Sequence, residues 1–185
     1  MTGGNVIVGI TGKKGHGKDT VGEVFTKAGY LRDFFAAPIK EAVKLALNMT
    51  DEQVHGTVDV KETIDPRYGI TPRWAMQSMG TEWGRNLINK DVWAIACLSR
   101  IENSGALNWV ITDTRFTNEA DIIKEKGGII VKVVRPNADT GSFEDHPSEL
   151  QIDLIEPDYT ITNDGTLDEL VTQVKALVEQ LKSRP

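Results

Sequence analysis

Residues 12–20 have the types and the spacing that phosphate binding requires. They run Gly-Lys-Lys-Gly-His-Gly-Lys-Asp-Thr and match the pattern G-x-x-x-x-G-K up to Lys18. Glycines let several backbone N–H groups converge on one phosphate, and a helix that begins at the loop adds its positive end. Lys18 supplies a mobile cation for the β- and γ-phosphates of a nucleotide. The segment therefore predicts a P-loop between a strand and a helix.

The position after Lys18 departs from the usual pattern, because Asp19 stands where Ser or Thr is typical and Thr20 follows it. A carboxylate beside three phosphates is repelled unless Mg²⁺ lies between them. We therefore expect Asp19 and Thr20 to help hold this ion. The alternative is that Asp19 is an acidic residue of the kind favoured in the first turn of a helix.

Three charged side chains follow the predicted strand Leu107–Thr112, namely Asp113, Arg115 and Glu119. An Asp at the carboxyl end of a strand in an open α/β sheet is in a Walker-B-like position, oriented toward Mg²⁺. The alternatives are that Asp113 is only a helix N-cap and that Arg115 and Glu119 form an exposed i,i+4 pair.

Arginines elsewhere in the chain could bind a second phosphate group. Arg73 and Gln77 are spaced i,i+4 on one face of a predicted helix, with Gly80 following at i+7, and Arg135 ends a predicted strand. If the acceptor of a transferred phosphoryl group is itself a phosphate, no general base is needed, but arginines must cancel the repulsion between the two anions. The alternative for any one arginine is a solvated surface residue.

Two classes of P-loop protein do not fit these residues. ATPases that activate water usually carry a glutamate after the Walker-B aspartate, where this chain has Thr114, and the guanine-reading pattern N-K-x-D is missing from the sequence. A small kinase remains.

The elements that must position these residues alternate short β-branched runs with helical stretches, which predicts an α/β fold with a parallel sheet covered by helices. The predicted strands are Asn5–Thr11, Tyr30–Phe35, Leu107–Thr112, Ile129–Val134 and Asp158–Thr162. The predicted helices are Asp19–Ala28, Pro38–Asn48, Thr71–Met79, Asp91–Glu102, Asn118–Lys126 and Thr166–Lys182. The last helix should bury Leu167, Leu170, Val171, Val174, Leu177, Val178 and Leu181.

Composition excludes several other classes. The 185 residues suit one domain, and 27 acidic against 21 basic residues give a net charge of −6, which argues against a protein that coats nucleic acid. A single cysteine, Cys97, allows no internal disulfide and no cysteine-based zinc site. The longest apolar run is Val92–Leu98, so we expect no membrane span and no signal peptide. A soluble cytoplasmic protein is expected.

Together these residues resemble the deoxynucleoside monophosphate kinases of tailed bacteriophages, within the P-loop nucleotide-kinase superfamily. The shared stretches are GKDT (17–20), FAAPIK (35–40), RWAMQSMGTE (73–82), DVW (91–93), TDTRFTNEA (112–120), VVRP (133–136) and ITNDGTLDEL (161–170). The resemblance therefore covers most of the chain and is not confined to the P-loop. Two departures are His16, where relatives often have a small residue, and Trp74, where a second basic residue can follow the arginine.

The resemblance implies Mg²⁺-dependent transfer of the ATP γ-phosphoryl group to a deoxynucleoside monophosphate. It also implies a single P-loop NTPase domain over 1–185, three-layered, with a five-stranded parallel sheet (core 1–35, 104–135, 158–185), a helical monophosphate-binding region (36–103) and a lid (136–157). Lys18, Asp19, Arg73, Asp113 and Arg115 would be catalytic, and Asp19, Thr20 and Asp113 would hold the metal. ATP would contact Gly12, Gly15, His16, Gly17, Lys18, Asp19, Thr20, Arg135, Asn163, Asp164 and Gly165. The acceptor would contact Lys40, Arg73, Gln77, Gly80, Trp93, Arg115 and Glu119.

Two other functions remain open at this point. One is a related small-metabolite kinase of the phosphomevalonate or dephospho-coenzyme A type, and the other is a nucleotide-dependent switch or assembly ATPase. The resemblance also makes a homodimer plausible, and His146-Pro147-Ser148-Glu149 resembles a recurring H-x-S-E element of the lid.

Overall fold

A computed structural model of the chain describes residues 6–136 and 147–183. These residues form two compact units. The first combines the segment that ends at Phe34 with the segment that begins at Arg100, and the second is Phe35–Ser99. Each unit is considered by itself below.

The first unit contains a five-stranded parallel sheet. Its strands are β1 (Val6–Thr11), β2 (Leu31–Asp33), β3 (Asn108–Ile111), β4 (Ile129–Val134) and β5 (Tyr159–Thr162), in the spatial order β2-β3-β1-β4-β5. Every pairing is parallel. The predicted sheet is thus confirmed, although β2 is only three residues long. Because β1 is central, the loop that follows it lies at the middle of the carboxyl edge.

The helices are α1 (Lys18–Lys27), α2 (Ala37–Leu47), α3 (Asp51–His55), α4 (Val58–Glu62), α5 (Pro72–Ser78), α6 (Val92–Ser104), α7 (Thr117–Glu125), α8 (Pro147–Leu154) and α9 (Leu167–Lys182). A π-helical segment, Met79–Ile88, follows α5 directly. The boundary between the units falls within α6. Among the described residues no helix is long and apolar enough to cross a bilayer.

Helices cover both faces of the sheet, which gives the predicted three layers. Val8 and Ile10 of β1 are fully buried in a cluster with side chains of α1 and α9. Gly9 points to the other face, where a Cβ would lie 2.7 Å from Ile123 Cδ1 of α7. Successive strand residues face opposite sides, so both sides of β1 are buried and its sequence is apolar throughout.

The last helix buries most of the face that the sequence predicts. Leu170, Val174, Leu177, Val178 and Leu181 of α9 are buried, and Val171 is partly buried. The prediction for Leu167 is wrong, because this side chain is 64% exposed. Leu167 is the first residue of the helix, before the apolar stripe reaches the sheet.

The second unit is helical, and its chain differs from the predicted pattern at two places. The short helices α3 and α4 were not predicted, since neither is long enough to show an apolar period. The helix opened by Thr71, whose hydroxyl accepts from Trp74 N at 3.1 Å, changes type at Met79. The i+7 placement of Gly80 beside Arg73 assumed a continuous α-helix, and that assumption is wrong.

A buried carboxylate organises the loop between α4 and α5. Asp65 is 3% exposed, and its Oδ2 accepts from Arg67 Nη2 at 2.6 Å and from Gln53 Nε2 at 2.8 Å. Its Oδ1 accepts from the backbone N and the Nε of Arg67, both at 3.0 Å. The Arg67 guanidinium and then the Gln53 amide hold the pKa of Asp65 well below its ordinary value of 3.8.

We predict that Asp65→Asn destabilises the protein at neutral pH and that the difference from wild type becomes smaller as the pH falls below 3.8. The carboxylate has a lowered pKa in the folded state, so its contribution is present above the unfolded value of 3.8 and is lost as the pH falls below it. Urea unfolding from about pH 7 to about pH 3 measures this. Asp59→Asn, on the exposed surface of α4, is the matched control. A constant difference across this range would contradict the prediction.

Candidate functional site

The segment between β1 and α1 has the backbone geometry of an anion-binding loop. Gly12, Gly15 and Gly17 have φ values of 144°, 80° and 100°, which side chains rarely permit. At Gly12 a Cβ would lie 2.4 Å from the carbonyl oxygen of Val133, so this position also excludes a side chain on steric grounds. The loop ends at the N-terminus of α1, whose first-turn N–H groups favour an anion.

Two side chains tie this loop to neighbouring strands. The buried His16 ring places Nδ1 3.1 Å from Val133 O on β4. Asn163, directly after β5, donates from Nδ2 to His16 O at 3.0 Å. His16, where related chains often carry a small residue, therefore packs the loop against the sheet. The predicted contact of Asn163 with adenine stays a prediction.

Lys18 folds back over the loop. Its Nζ donates to Gly12 O at 2.5 Å and to Lys13 O at 2.9 Å. Lys13 in turn lies 3.1 Å from Asp153 Oδ2 on α8, in the segment predicted as a lid. The loop's own carbonyl oxygens thus hold the Lys18 ammonium beside the glycines that are to receive phosphate.

Asp19 makes an ion pair that the sequence did not predict. Its exposed carboxylate accepts from Arg32 Nη2, and the same guanidinium donates from Nε to Thr112 Oγ1 at 3.1 Å. Arg32 therefore links the first turn of α1 to the end of β3, one residue before Asp113. No sequence pattern marked Arg32, because its contacts depend on the pairing of β2 with β3.

The Glu119 carboxylate accepts hydrogen bonds from backbone N–H groups, which the sequence analysis did not consider. It is 2% exposed, and its Oε2 accepts from the backbone N of Arg115 at 2.8 Å and of Phe116 at 3.1 Å. The N-cap of α7 is Phe116, which has no side-chain acceptor, so the alternative that Asp113 caps this helix is wrong. Glu119 fixes the backbone that carries Arg115, whose side chain is exposed; a contact of either with the acceptor stays a prediction.

The residues predicted to hold Mg²⁺ fit that ion by their chemistry. Asp19 is exposed, Thr20 and Asp113 are half-buried, and each offers an oxygen ligand at the carboxyl edge of the sheet. The described residues contain no group of three or more His, Cys, Asp or Glu that could hold a metal alone. A Mg²⁺ ion bound here would need phosphate oxygens and water as further ligands, which is its usual arrangement in nucleotide sites.

Two of the predicted acceptor contacts in the second unit are half-buried cations. Arg73 donates from Nε to Glu62 Oε1 on α4. Lys40 places its Nζ 3.4 Å from His55 Nδ1. Gln77 is exposed. Glu62 was not singled out by sequence reasoning, since a lone glutamate in a polar stretch carries no pattern.

Trp93 and Gly80, also predicted to line the acceptor pocket, contact each other. Trp93 is buried, and its Nε1 donates to Gly80 O at 2.7 Å. A Cβ at Gly84 would lie 2.4 Å from the Trp93 ring, and Trp83 packs 6.2 Å from it between ring centroids. Stacking of Trp93 on a base stays a prediction, while the structure gives its ring a packing role against the π-helical segment.

The remaining predicted contacts lie at the ends of β4 and β5 or beyond them. Arg135, Asp164 and Gly165 are exposed. At Gly165 a Cβ would lie 2.2 Å from Glu169 Oε2, whose carboxylate caps α9. His146 lies outside the described residues, as do the side chains of 147–150, so the H-x-S-E element is not described further.

We predict that Gly12→Ala destabilises the protein more than Gly15→Ala does. Both carry the cost of a left-handed backbone, about 1 kcal/mol, but only the Gly12 Cβ meets a backbone oxygen, whereas nothing lies within 4 Å at Gly15. Thermal unfolding of the two variants without nucleotide measures the difference. Equal melting temperatures would show that the contact with Val133 does not constrain the loop.

Comparison with known proteins places this chain in one family. The family model described as deoxynucleotide monophosphate kinase matches residues 60–174, more than half of the chain. A protein of Acanthamoeba polyphaga mimivirus, named "Putative deoxynucleotide monophosphate kinase", is 33% identical over 94% of this chain and 96% of its own. The deoxynucleotide monophosphate kinase of Enterobacteria phage T4 is 31% identical over 66% of this chain and 51% of its own.

A solved structure supports the fold. The dephospho-CoA kinase from Campylobacter jejuni superposes with a TM-score of 0.52 at 14% identity, covering 95% of this chain and 96% of that one. At this identity the likeness concerns architecture alone, which is that of a P-loop kinase. On the family match and the mimivirus relative, the chain belongs to the deoxynucleotide monophosphate kinase family.

Proposed function

We propose that the protein transfers the γ-phosphoryl group of ATP to a deoxynucleoside 5′-monophosphate, giving the diphosphate and ADP. This reaction is a phosphotransfer with a phosphate group as acceptor. The specific reaction class that we propose is EC 2.7.4.13. The observation that carries the proposal is the P-loop: in a chain of this family, Lys18 Nζ lies against the Gly12 and Lys13 carbonyls beside left-handed glycines.

The proposed step needs no general base on the protein. An anionic oxygen of the acceptor phosphate attacks the γ-phosphorus, the bond to the β,γ-bridging oxygen breaks, and ADP leaves with that electron pair. The obstacle is the repulsion between two highly charged phosphate groups. The protein must therefore supply positive charge and hold the reacting groups in line.

In the first unit, Lys18 and the N–H groups of the loop and of α1 bind the ATP phosphates, and Arg115 neutralises charge that develops during transfer. In the second, Arg73 and Lys40 bind the acceptor. Asp19, Thr20 and Asp113 would hold Mg²⁺, which when bound neutralises charge on the β- and γ-phosphate oxygens.

Thr114 argues against an ATPase that transfers the phosphoryl group to water. It stands where such enzymes carry a glutamate, is fully buried, and its hydroxyl has no hydrogen-bond partner within the described ranges. A Cβ at Gly9 would lie 3.1 Å from that hydroxyl, which therefore points into the layer under α7. No carboxylate is available at this position to activate water, so hydrolysis without an acceptor should be slow.

We predict that the protein with Mg·ATP phosphorylates deoxynucleoside monophosphates. A coupled ADP-release assay against each deoxy- and ribonucleoside monophosphate, with dephospho-coenzyme A and phosphomevalonate as further acceptors, measures this. Release of ADP without an acceptor should be at least about a hundredfold slower, because Thr114 stands where a glutamate would orient water. A wild-type protein that turns over only a non-nucleotide acceptor, or hydrolyses ATP at the same rate without one, would contradict the proposal.

Lys18→Met is the control for contaminating kinases in the same assay. Losing one charge-stabilising contact in the transition state costs about 3–4 kcal/mol, or about a hundredfold or more in rate. Activity that survives this change at the wild-type rate does not come from the P-loop of this chain.

A further inference from the structure

Three cations of the second unit lie on helices that pack together. Lys40 is on α2, Lys61 on α4 and Arg73 on α5. Helix α5 contacts both α2 and α4. Burial, and then repulsion by Lys40 and Arg73, lower the pKa of the Lys61 ammonium below its ordinary value. The ion pair of Arg73 with Glu62 also joins α5 to the residue next to Lys61 in α4. The helix packing and this ion pair place the three positive groups in one part of the unit.

Carboxylates of the unit neutralise this cluster only in part. Over the residues that the structure describes, Lys61 has no carboxylate within ion-pair distance, and Lys40 contacts only the ring of His55. Burial and the Lys40 charge lower the pKa of His55, so the ring is neutral at pH 7 and can accept from Lys40. By contrast Lys44, one turn along α2 from Lys40, is paired with Glu41 and Asp51.

Arg73 is the member of the cluster that has an internal counter-ion, Glu62. Glu62 follows Lys61 in α4. The cluster therefore has three positive groups and one paired carboxylate. Placing like charges together without equal opposite charge costs free energy, and a dianionic ligand removes that cost. A phosphate monoester carries close to two negative charges at neutral pH and three terminal oxygens, which suits three separate donors.

We propose that Lys61 joins Lys40 and Arg73 in binding the phosphate of the acceptor nucleotide, and that Glu62 occupies Arg73 until that phosphate arrives. The identity of the ligand as an acceptor nucleotide rests on the proposed function, whereas the binding of a phosphate dianion rests on the cluster itself. Lys61 is then a substrate-binding residue, and Glu62 a competitor that the substrate displaces.

This assignment has a signature that a merely structural role does not share. Lys61→Met removes a repelled cation, so the free protein should melt at a temperature no lower than wild type while its affinity for phosphate falls. The loss of one charge-assisted hydrogen bond corresponds to a weakening of about tenfold. Glu62→Gln removes the competing charge, and binding of phosphate should strengthen by about threefold or more.

Arginine side-chain NMR tests this at the site itself and separates it from phosphate binding in the P-loop. The Nε–H signal of Arg73, assigned with Arg73→Lys, is followed during titration with inorganic phosphate at a fixed total salt concentration. The full chain is used, as wild type, Lys61→Met and Glu62→Gln. Lys90→Met and Glu52→Gln, exposed residues of the same unit outside the cluster, are matched controls and should titrate like wild type.

The outcomes distinguish the two proposals. A titration of Lys61→Met that matches wild type, no response of Arg73 to phosphate in wild type, or weaker binding together with a lowered melting temperature would each overturn the role of Lys61. Weaker binding by Glu62→Gln would overturn its role as competitor. A wild type that shows the expected titrations but phosphorylates no deoxynucleoside monophosphate would refute the proposed function and leave the phosphate site standing.

Discussion

The path of the P-loop depends on one close contact between backbones. The Cα of Gly12 lies so near the carbonyl oxygen of Val133 that no side chain fits between them. The His16 ring reaches the same carbonyl from the other end of the loop. With both ends held on β4, the chain can enter α1 only through left-handed glycines, and this places Lys18 at the first position of that helix.

In each unit, considered by itself, several cations lie against oxygens of the chain. Backbone carbonyls hold Lys18, while Asp19 pairs with Arg32 and Glu62 with Arg73. This arrangement reconciles anion binding with a net charge of −6, because the cations need only be concentrated locally. A phosphate bound as proposed at Lys18 or Arg73 would displace or reorient a group already present. The free energy of nucleotide binding is therefore a difference between two sets of polar contacts.

Features governed by local sequence could be predicted. The P-loop has fixed glycine spacing, the strands are apolar runs, and the apolar period of the last helix predicts its buried face apart from Leu167, which is exposed. Thr71 could be recognised as a cap because Pro72 follows it. Such features follow from the conformational preferences of neighbouring residues, with little help from the rest of the fold.

Features that depend on distant partners could not be predicted. Arg32 meets Asp19 and Thr112 only because β2 pairs with β3 beside α1. The change to a π-helix at Met79 accompanies the packing of Trp93 against Gly84, and no local pattern marks it. In the sequence, Lys61 and Glu62 resemble an ordinary pair of solvent-exposed charges. Their proximity to Arg73 arises only from the packing of α4 on α5.

The pairing of Arg73 with Glu62 affects how binding responds to the surrounding electrolyte. Proteins that coat nucleic acids gain affinity by releasing counter-ions into solution, so their binding weakens steeply as ionic strength rises. In the exchange proposed for Arg73, an arriving phosphate would displace the Glu62 carboxylate, so no small ion need be released from this arginine. Recognition of the acceptor would then depend on ionic strength less steeply than three cations imply, because one of them exchanges a carboxylate of the chain, and not a small ion, for the phosphate.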